Sequence, residues 1–178
     1  MIYTDYTGRY ISDASYGGTH NFYSENLPNN GRYCINWKEF SQYNTTAFDF
    51  KPDRDLSRLV SEGYSLDFMV RGNATGIKFD VRFLDTKESD TDHPWRIRFV
   101  IDETVAAFDK KWHHVNIRLD AFTEHGSWDG QWYNPQGLFD FTKIDRFECS
   151  TEYTGTSGKE LWFYNIHITN LDTAIVRE

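Results

Sequence analysis

The sequence predicts an all-β protein, an antiparallel β-sandwich of the jelly-roll kind with two sheets. Three observations carry this expectation. Phe, Tyr and Trp make up 17% of the 178 residues, and such side chains suit a pleated, half-buried surface. Run after run alternates apolar and polar residues with a period of two, the pattern of antiparallel strands that cover a core on one side. Gly, Asn, Asp and Pro clusters separate these runs closely enough for eight or more short strands.

Taken in order, residues 1–32 read as one or two short edge strands with long turns, broken at Pro28-Asn29-Asn30-Gly31. Tyr33 to Phe40 is strand-like around Trp37, and Thr45 to Lys51 is a second strand that Pro52 should end. Asp53 to Glu62 holds the one helical turn, with Leu56, Leu59 and Val60 on one side and Gly63 as a stop. Tyr64 to Arg71 sets Leu66, Phe68 and Val70 inward against Asp67 and Arg71. Ile77 to Phe83 sets Ile77, Phe79, Val81 and Phe83 inward against Lys78, Asp80 and Arg82. Trp95 to Ile101 sets Ile97, Phe99 and Ile101 against Arg96 and Arg98, and Trp112 to Leu119 follows the same rule. Ile144 to Thr151 and Leu161 to Thr169 complete the set. No repeat, linker or low-complexity tract divides residues 1–178, which read as one domain large enough to bury a core.

Composition excludes several partners. A formal net charge of −8 argues against a nucleic-acid backbone or an anionic membrane, since both need a basic patch. No apolar run has the length of a membrane span. The opening MIYTDYTGRY lacks the basic and then apolar layout of a secretory signal, and a Met1 that begins an excised fragment would leave the native compartment open. Two cysteines, Cys34 and Cys149, make neither a disulfide framework nor a zinc site. They either pair or serve as small buried hydrophobes.

The aromatic residues carry the functional expectation. Trp37, Trp112 and Trp162 sit in patterned strands and read as packing. Trp95, after Asp92-His93-Pro94, stands at the mouth of a strand, while Trp128, Trp132 and Tyr133 lie among Gly, Asp, Asn, Gln and Pro in what reads as a loop. Aromatic clusters in polar loops mark binding surfaces. The apolar face of a pyranose ring stacks on an indole or phenol, and its hydroxyls take flanking donors and acceptors. The outward residues Asp67, Asp80, Arg82, Arg96 and Arg98 are candidates for that polar role if their strands are neighbours. The alternative is a solvated face of cross-strand ion pairs.

Catalysis has little support in the residues. Glycoside hydrolysis generally needs two carboxyl groups across the scissile bond, and the Glu-x-Asp-x-x-Glu strand motif of laminarinase-like enzymes is absent. Asp67, Asp80 and Glu148 are placed to share a face, but each has an arginine in reach, which lowers a carboxyl pKa and spoils a general acid. His113 and His114 point to opposite faces of a strand and cannot bind one metal there. A small sandwich-fold glycan hydrolase or lyase remains the competing reading.

A family resemblance follows from the order of motifs. Within residues 63–168, GYSLDFMVRG, HPWRIRFVID, KKWHHVNIRLDAFTEHGSWDGQWYNPQGLFDFTKIDRFECSTEY and LWFYNIHIT are similar to the β-jelly-roll carbohydrate-binding modules of bacterial glycoside hydrolases, broadly the family 4 and family 11 type. The resemblance implies a galactose-binding-domain-like fold and a non-catalytic module that binds single β-glucan chains in a groove on the concave sheet. It implies a secreted or cell-surface monomer joined to a catalytic domain, with mixed-linkage glucan, xyloglucan or glucomannan as ligand. No cofactor is required. Relatives often hold a structural calcium between the N-terminal region and the last strand, where many carry Asp before Asn-Ile. This chain has Tyr164 there, and no metal ligand is assigned.

Overall fold

The alternation becomes two antiparallel sheets whose apolar faces meet. The structure, a computed structural model, describes residues 1–170. The strands are β1 (Ile11–Asp13), β2 (Thr19–Ser24), β3 (Cys34–Lys38), β4 (Asn44–Arg54), β5 (Ser65–Gly72) and β6 (Phe79–Asp85), followed by β7 (Arg96–Ile101), β8 (His113–Arg118), β9 (Thr123–Trp128), β10 (Trp132–Tyr133), β11 (Ile144–Thr151) and β12 (Glu160–Thr169). The larger sheet has seven strands in the order β1-β4-β11-β6-β7-β9-β10, and the smaller has five in the order β2-β3-β12-β5-β8. The helical turn shrinks to α1 (Ser57–Ser61). The core lies between the sheets, where Phe22 meets Phe48 and Phe79 meets Phe163 edge-on, with centroids 5.8 and 5.6 Å apart.

Three expectations change. First, β5 and β6 are consecutive in the chain but lie in different sheets. Asp67 is therefore on the outer face of the smaller sheet, where it accepts from His114 and Asn116, whereas Asp80 and Glu148 share the outer face of the larger one. Second, β4 runs through Pro52, which follows a cis peptide, to Arg54. It does so where β11 slips register between Ile144 and Arg146, so no rung of that ladder asks Pro52 for an N–H. Third, residues 128–133 are a hairpin rather than a loop: Trp132 pairs with Trp128 and Tyr133 with Ser127, around a turn in which Gly130 takes a φ of +73°. Cys34 and Cys149 are free and buried in different sheets.

The outer face of the smaller sheet is largely covered. The segment 25–33 crosses it from the β3 side to the β8 side, where the Leu27 carbonyl accepts from the Trp112 indole at 3.1 Å. On this face Trp162, with the Arg71 guanidinium 5.7 Å from its ring, and Met69 are buried. Trp37 is wholly in the core, and its indole donates to the Gly17 carbonyl. The packing roles expected of Trp37 and Trp162 hold, while Trp112 is only partly buried, immediately before the edge strand β8.

Candidate functional site

On β6, β7 and β11 the inward Phe, Val and Ile residues force the alternate positions outward, and register then decides which of these meet. Glu148, Arg82 and Arg98 stand in one row across β11, β6 and β7. Arg82 forms ion pairs with both Glu148 and Glu152. Arg96 lies 3.6 Å from Glu152, and His125 reaches its other oxygen at 3.0 Å. Asp80 accepts from Arg98 at 3.0 Å and from the Tyr153 hydroxyl at 2.7 Å. Three guanidinium groups thus face three carboxylates, a balance suited to a neutral ligand.

Most of this network is out of solvent. Asp80, Arg82, Arg96 and Glu148 are buried although no sheet covers them, while Arg98, Glu152 and His125 keep part of their surface. Burial disfavours the Glu152 carboxylate, but His125 and Arg82 outweigh it and hold its pKa down to about 2. Burial, and then the like charge of Arg82, bring Arg96 down to about 10. A carboxylate held like Glu152 does not act as a general acid near neutrality.

The aromatic residues stand at the edges of this floor. Trp128 is 60% and Trp132 42% exposed, and as directly opposed residues of β9 and β10 they share one face of the hairpin. The Trp132 ring sits 5.2 Å from His125 and 5.6 Å from the Arg96 guanidinium, and its indole donates to Asn134 at 3.0 Å. Tyr133 turns to the other face, where His93 stacks on it at 3.6 Å. Asp129 ties the turn to His93 at 3.0 Å and Lys87 at 2.6 Å. Beyond the hairpin, the Glu124 carboxylate accepts three successive backbone N–H groups, Gly137, Leu138 and Phe139.

The structure therefore gathers Asp80, Arg82, Arg96, Arg98, Trp128 and Trp132 about one face. It removes Asp67 to the other sheet and buries Trp95 to 3% exposure, with the His93 ring edge-on to it. It makes Tyr133 a prop for His93. Sequence reasoning missed His125, Glu152 and Tyr153, which complete the network. It also missed Tyr16 and Tyr43 at the opposite edge. Tyr16 bridges to Thr45 and so lies on the same outer face, 70% exposed; Tyr43, just before β4, is 65% exposed. Both stand among Ser, Gly, Gln and Asn, the same signal that marked Trp128. From β1 to β10 the face spans about 29 Å at ~4.8 Å per strand.

The region where the resemblance implies calcium does not fit one. Its carboxylate, Asp5, accepts the Tyr33 N–H at 2.9 Å, and a Cβ added to Gly31 would lie 2.1 Å from Asp5 Oδ1 and 2.6 Å from the Tyr164 hydroxyl. Among the described residues, Asp5 belongs to no group of three or more His, Cys, Asp or Glu ligand atoms within 4.8 Å of one another.

Comparison with known proteins places these features. The family model of carbohydrate binding domain 30 matches residues 5–170. No curated protein matches the chain. Among solved structures, a family 30 carbohydrate-binding module superposes with a TM-score of 0.68 at 19% identity, covering 92% of this chain and 78% of its own. The family 30 module of a cellulosomal cellulase from Clostridium thermocellum gives 0.66 at 19%, covering 92% of each chain. A family 11 module from the same organism, in complex with a β-1,3-1,4-mixed-linked tetrasaccharide, gives 0.57 at 12%, covering 89% of this chain and 81% of its own. These likenesses agree on the sandwich fold.

Proposed function

The chain belongs to the carbohydrate binding domain 30 family, a non-catalytic carbohydrate-binding module, and from that premise we propose that it binds single chains of plant-cell-wall β-glucan across the outer face of the larger sheet. The observation that carries this reading is the exposed pair Trp128 and Trp132 standing beside a charge-balanced, internally bonded floor. Indole faces take the apolar side of sugar rings, while Arg98, Glu152 and His125, each still partly open to solvent, meet hydroxyls. Tyr16 and Tyr43 extend the contact to the far edge, so a chain would lie across the strands.

Asp80, Arg82 and Arg96 act in this reading as the buried frame that orients Arg98, Glu152 and Trp132. The mixed-linkage oligosaccharide bound by the family 11 relative supports including mixed-linkage glucan among the ligands, with xyloglucan and glucomannan beside it. The setting that fits such a module is a secreted or cell-surface glycoside hydrolase that it targets, the module itself being monomeric. Affinity electrophoresis on the three glucans and on xylan tests the reading: retardation by at least one glucan is expected. A folded protein retarded by none of them would sink it.

A further inference from the structure

The edge of the larger sheet breaks its register beside the exposed indoles. Arg96 of β7 pairs with Gly126 of β9, yet the next residue, Ile97, pairs with Glu124. His125 is therefore an extra residue on β9, a β-bulge. Gly126 takes a φ of +85°, a conformation open to glycine and strained for residues with a side chain. The space its missing side chain leaves is filled from the neighbouring strand. A Cβ at position 126 would run into the Tyr133 carbonyl oxygen and lie 3.0 Å from Trp132 Cζ2 and 3.3 Å from the Pro135 nitrogen. The Trp132 ring thus takes the place, near the Arg96 guanidinium, of a side chain at position 126. On the other side of the bulge, Glu124 holds the returning chain at Gly137, Leu138 and Phe139. Asn134 lies between these two attachments, and its Oδ1 accepts the Trp132 indole N–H at 3.0 Å.

We infer that the His125–Gly126 bulge presents Trp132 to the sugar chain, and that Gly126 and Asn134 are positioning residues that act on the ligand through the Trp132 ring. The inference rests on the outer face of the larger sheet being the glucan site. Three contacts fix the ring. Gly126 lets it lie against β9, the bulged His125 stands 5.2 Å from it while holding Glu152, and Asn134 ties down its N–H. With the N–H so engaged, the indole offers the ligand its apolar surface, and hydroxyls are left to Arg98, Glu152 and His125. A ring that is 42% exposed but held before the ligand arrives loses less rotamer freedom on binding, which raises affinity without adding a contact. Tyr133, one residue on, faces the other way and stacks on His93 at 3.6 Å, so β10 is anchored on both of its faces.

Calorimetry with a mixed-linkage oligosaccharide tests the inference. Asn134→Ala should weaken binding about threefold or more, while Asn134→Asp, which keeps an acceptor at that place, should stay close to wild type. In a Trp132→Ala background Asn134→Ala should change nothing further, a result that a merely structural role would not give. Gly126→Ala should cost more, roughly tenfold, because it displaces both the ring and the chain at 133–135. The indole N–H resonance of Trp132 gives a readout without ligand: Asn134→Ala should move it and speed its exchange with solvent, and Asn134→Asp should keep it protected. An equal affinity loss from Asn134→Ala with and without Trp132, or an indole resonance that ignores Asn134→Ala, would overturn the inference. The two readings fail separately: a wild type that bound no glucan would remove the ligand, while the indole resonance would still decide whether Asn134 holds the ring.

Discussion

The two outer faces of the sandwich begin with similar material, aromatics and charges at alternating strand positions, and finish differently. On the smaller sheet the 25–33 segment reaches across to Trp112, whose indole donates to the Leu27 carbonyl, and Trp162 and Met69 are buried, with the Arg71 guanidinium over the Trp162 ring. On the larger sheet the charges close on one another instead, Arg82 on Glu148 and Glu152 and Arg98 on Asp80. That leaves the indoles and phenols at the edges uncovered. An aromatic residue can serve as a binding platform when its neighbours leave part of its surface open: Arg96 and His125 stand against the Trp132 ring, which stays 42% exposed. The charges of the floor are then frame, and the edge aromatics are contact surface.

The largest expected effect breaks the floor. Arg82→Ala would leave the buried Glu148 without its partner, and removal of one member of a buried pair costs about 3–5 kcal/mol. Urea unfolding at neutral pH measures it. The double variant Arg82→Met with Glu148→Leu should recover part of that loss, because it removes the stranded Glu148 while Glu152, which also loses Arg82, keeps His125 and Arg96. If the single variant were as stable as wild type, the floor would not be frame. The same network sets an acid limit. The pKa of Glu152 is depressed in the fold, from an ordinary 4.5 to about 2, so its contribution is complete above the ordinary value and is lost as pH falls through the folded one. Chemical denaturation at pH 5, 4 and 3 should show stability falling, and Glu152→Gln should flatten that fall.

Next in size is the loss of contact surface. Trp132→Ala and Trp128→Ala should each reduce glucan affinity by roughly tenfold or more, the range of a tryptophan hot spot. Unfolding free energy should change by less than about 1 kcal/mol, because both rings are substantially exposed. Calorimetry on a mixed-linkage or xyloglucan oligosaccharide, paired with urea unfolding, separates the two quantities. At the other edge, Tyr43→Ala and Tyr16→Ala should weaken binding by a smaller factor, about three- to tenfold, as single phenol contacts. A chain that uses only the hairpin edge would leave both tyrosine variants at wild-type affinity.

The period of two made the strands legible, together with the inward set of Phe, Val and Ile, because each side chain's face depends on its own position alone. Strand neighbours depend on distant partners, and this is where the reading failed. Arg82 meets Glu148 across 66 residues of sequence, while Asp67 and Asp80, close in the chain, part to different sheets. Exposure was half legible. Trp95 and Trp128 both stand in polar surroundings, but only Trp95 is enclosed, by His93 and the loop before it. The Asp129-Gly130 turn between Trp128 and Trp132 was readable as a hairpin and would have put both indoles on one face. Tyr16 and Tyr43 stand among the same polar neighbours as Trp128, but the place of Tyr16 on the face depends on its bridge to Thr45, a pairing between distant residues that no local pattern shows.

The smallest expected effect is the most direct probe of the contrast between faces. At the edge of the smaller sheet, Tyr23 is 55% exposed, close to Trp128, so exposure alone would make it a platform too. Its surroundings differ. Tyr6, Tyr23 and Tyr33 contact one another tilted or edge-on at 5.8 to 6.1 Å, and Arg32 lies over the Tyr33 ring. The three rings spend part of their surface on each other and align no common plane for a sugar. Tyr23→Ala should therefore leave glucan affinity within twofold of wild type, measured in the same calorimetric series as Tyr43→Ala. Equal losses from Tyr23→Ala and Tyr43→Ala would mean that exposure decides binding and that the floor of paired charges does not, which would undo the distinction between the two faces.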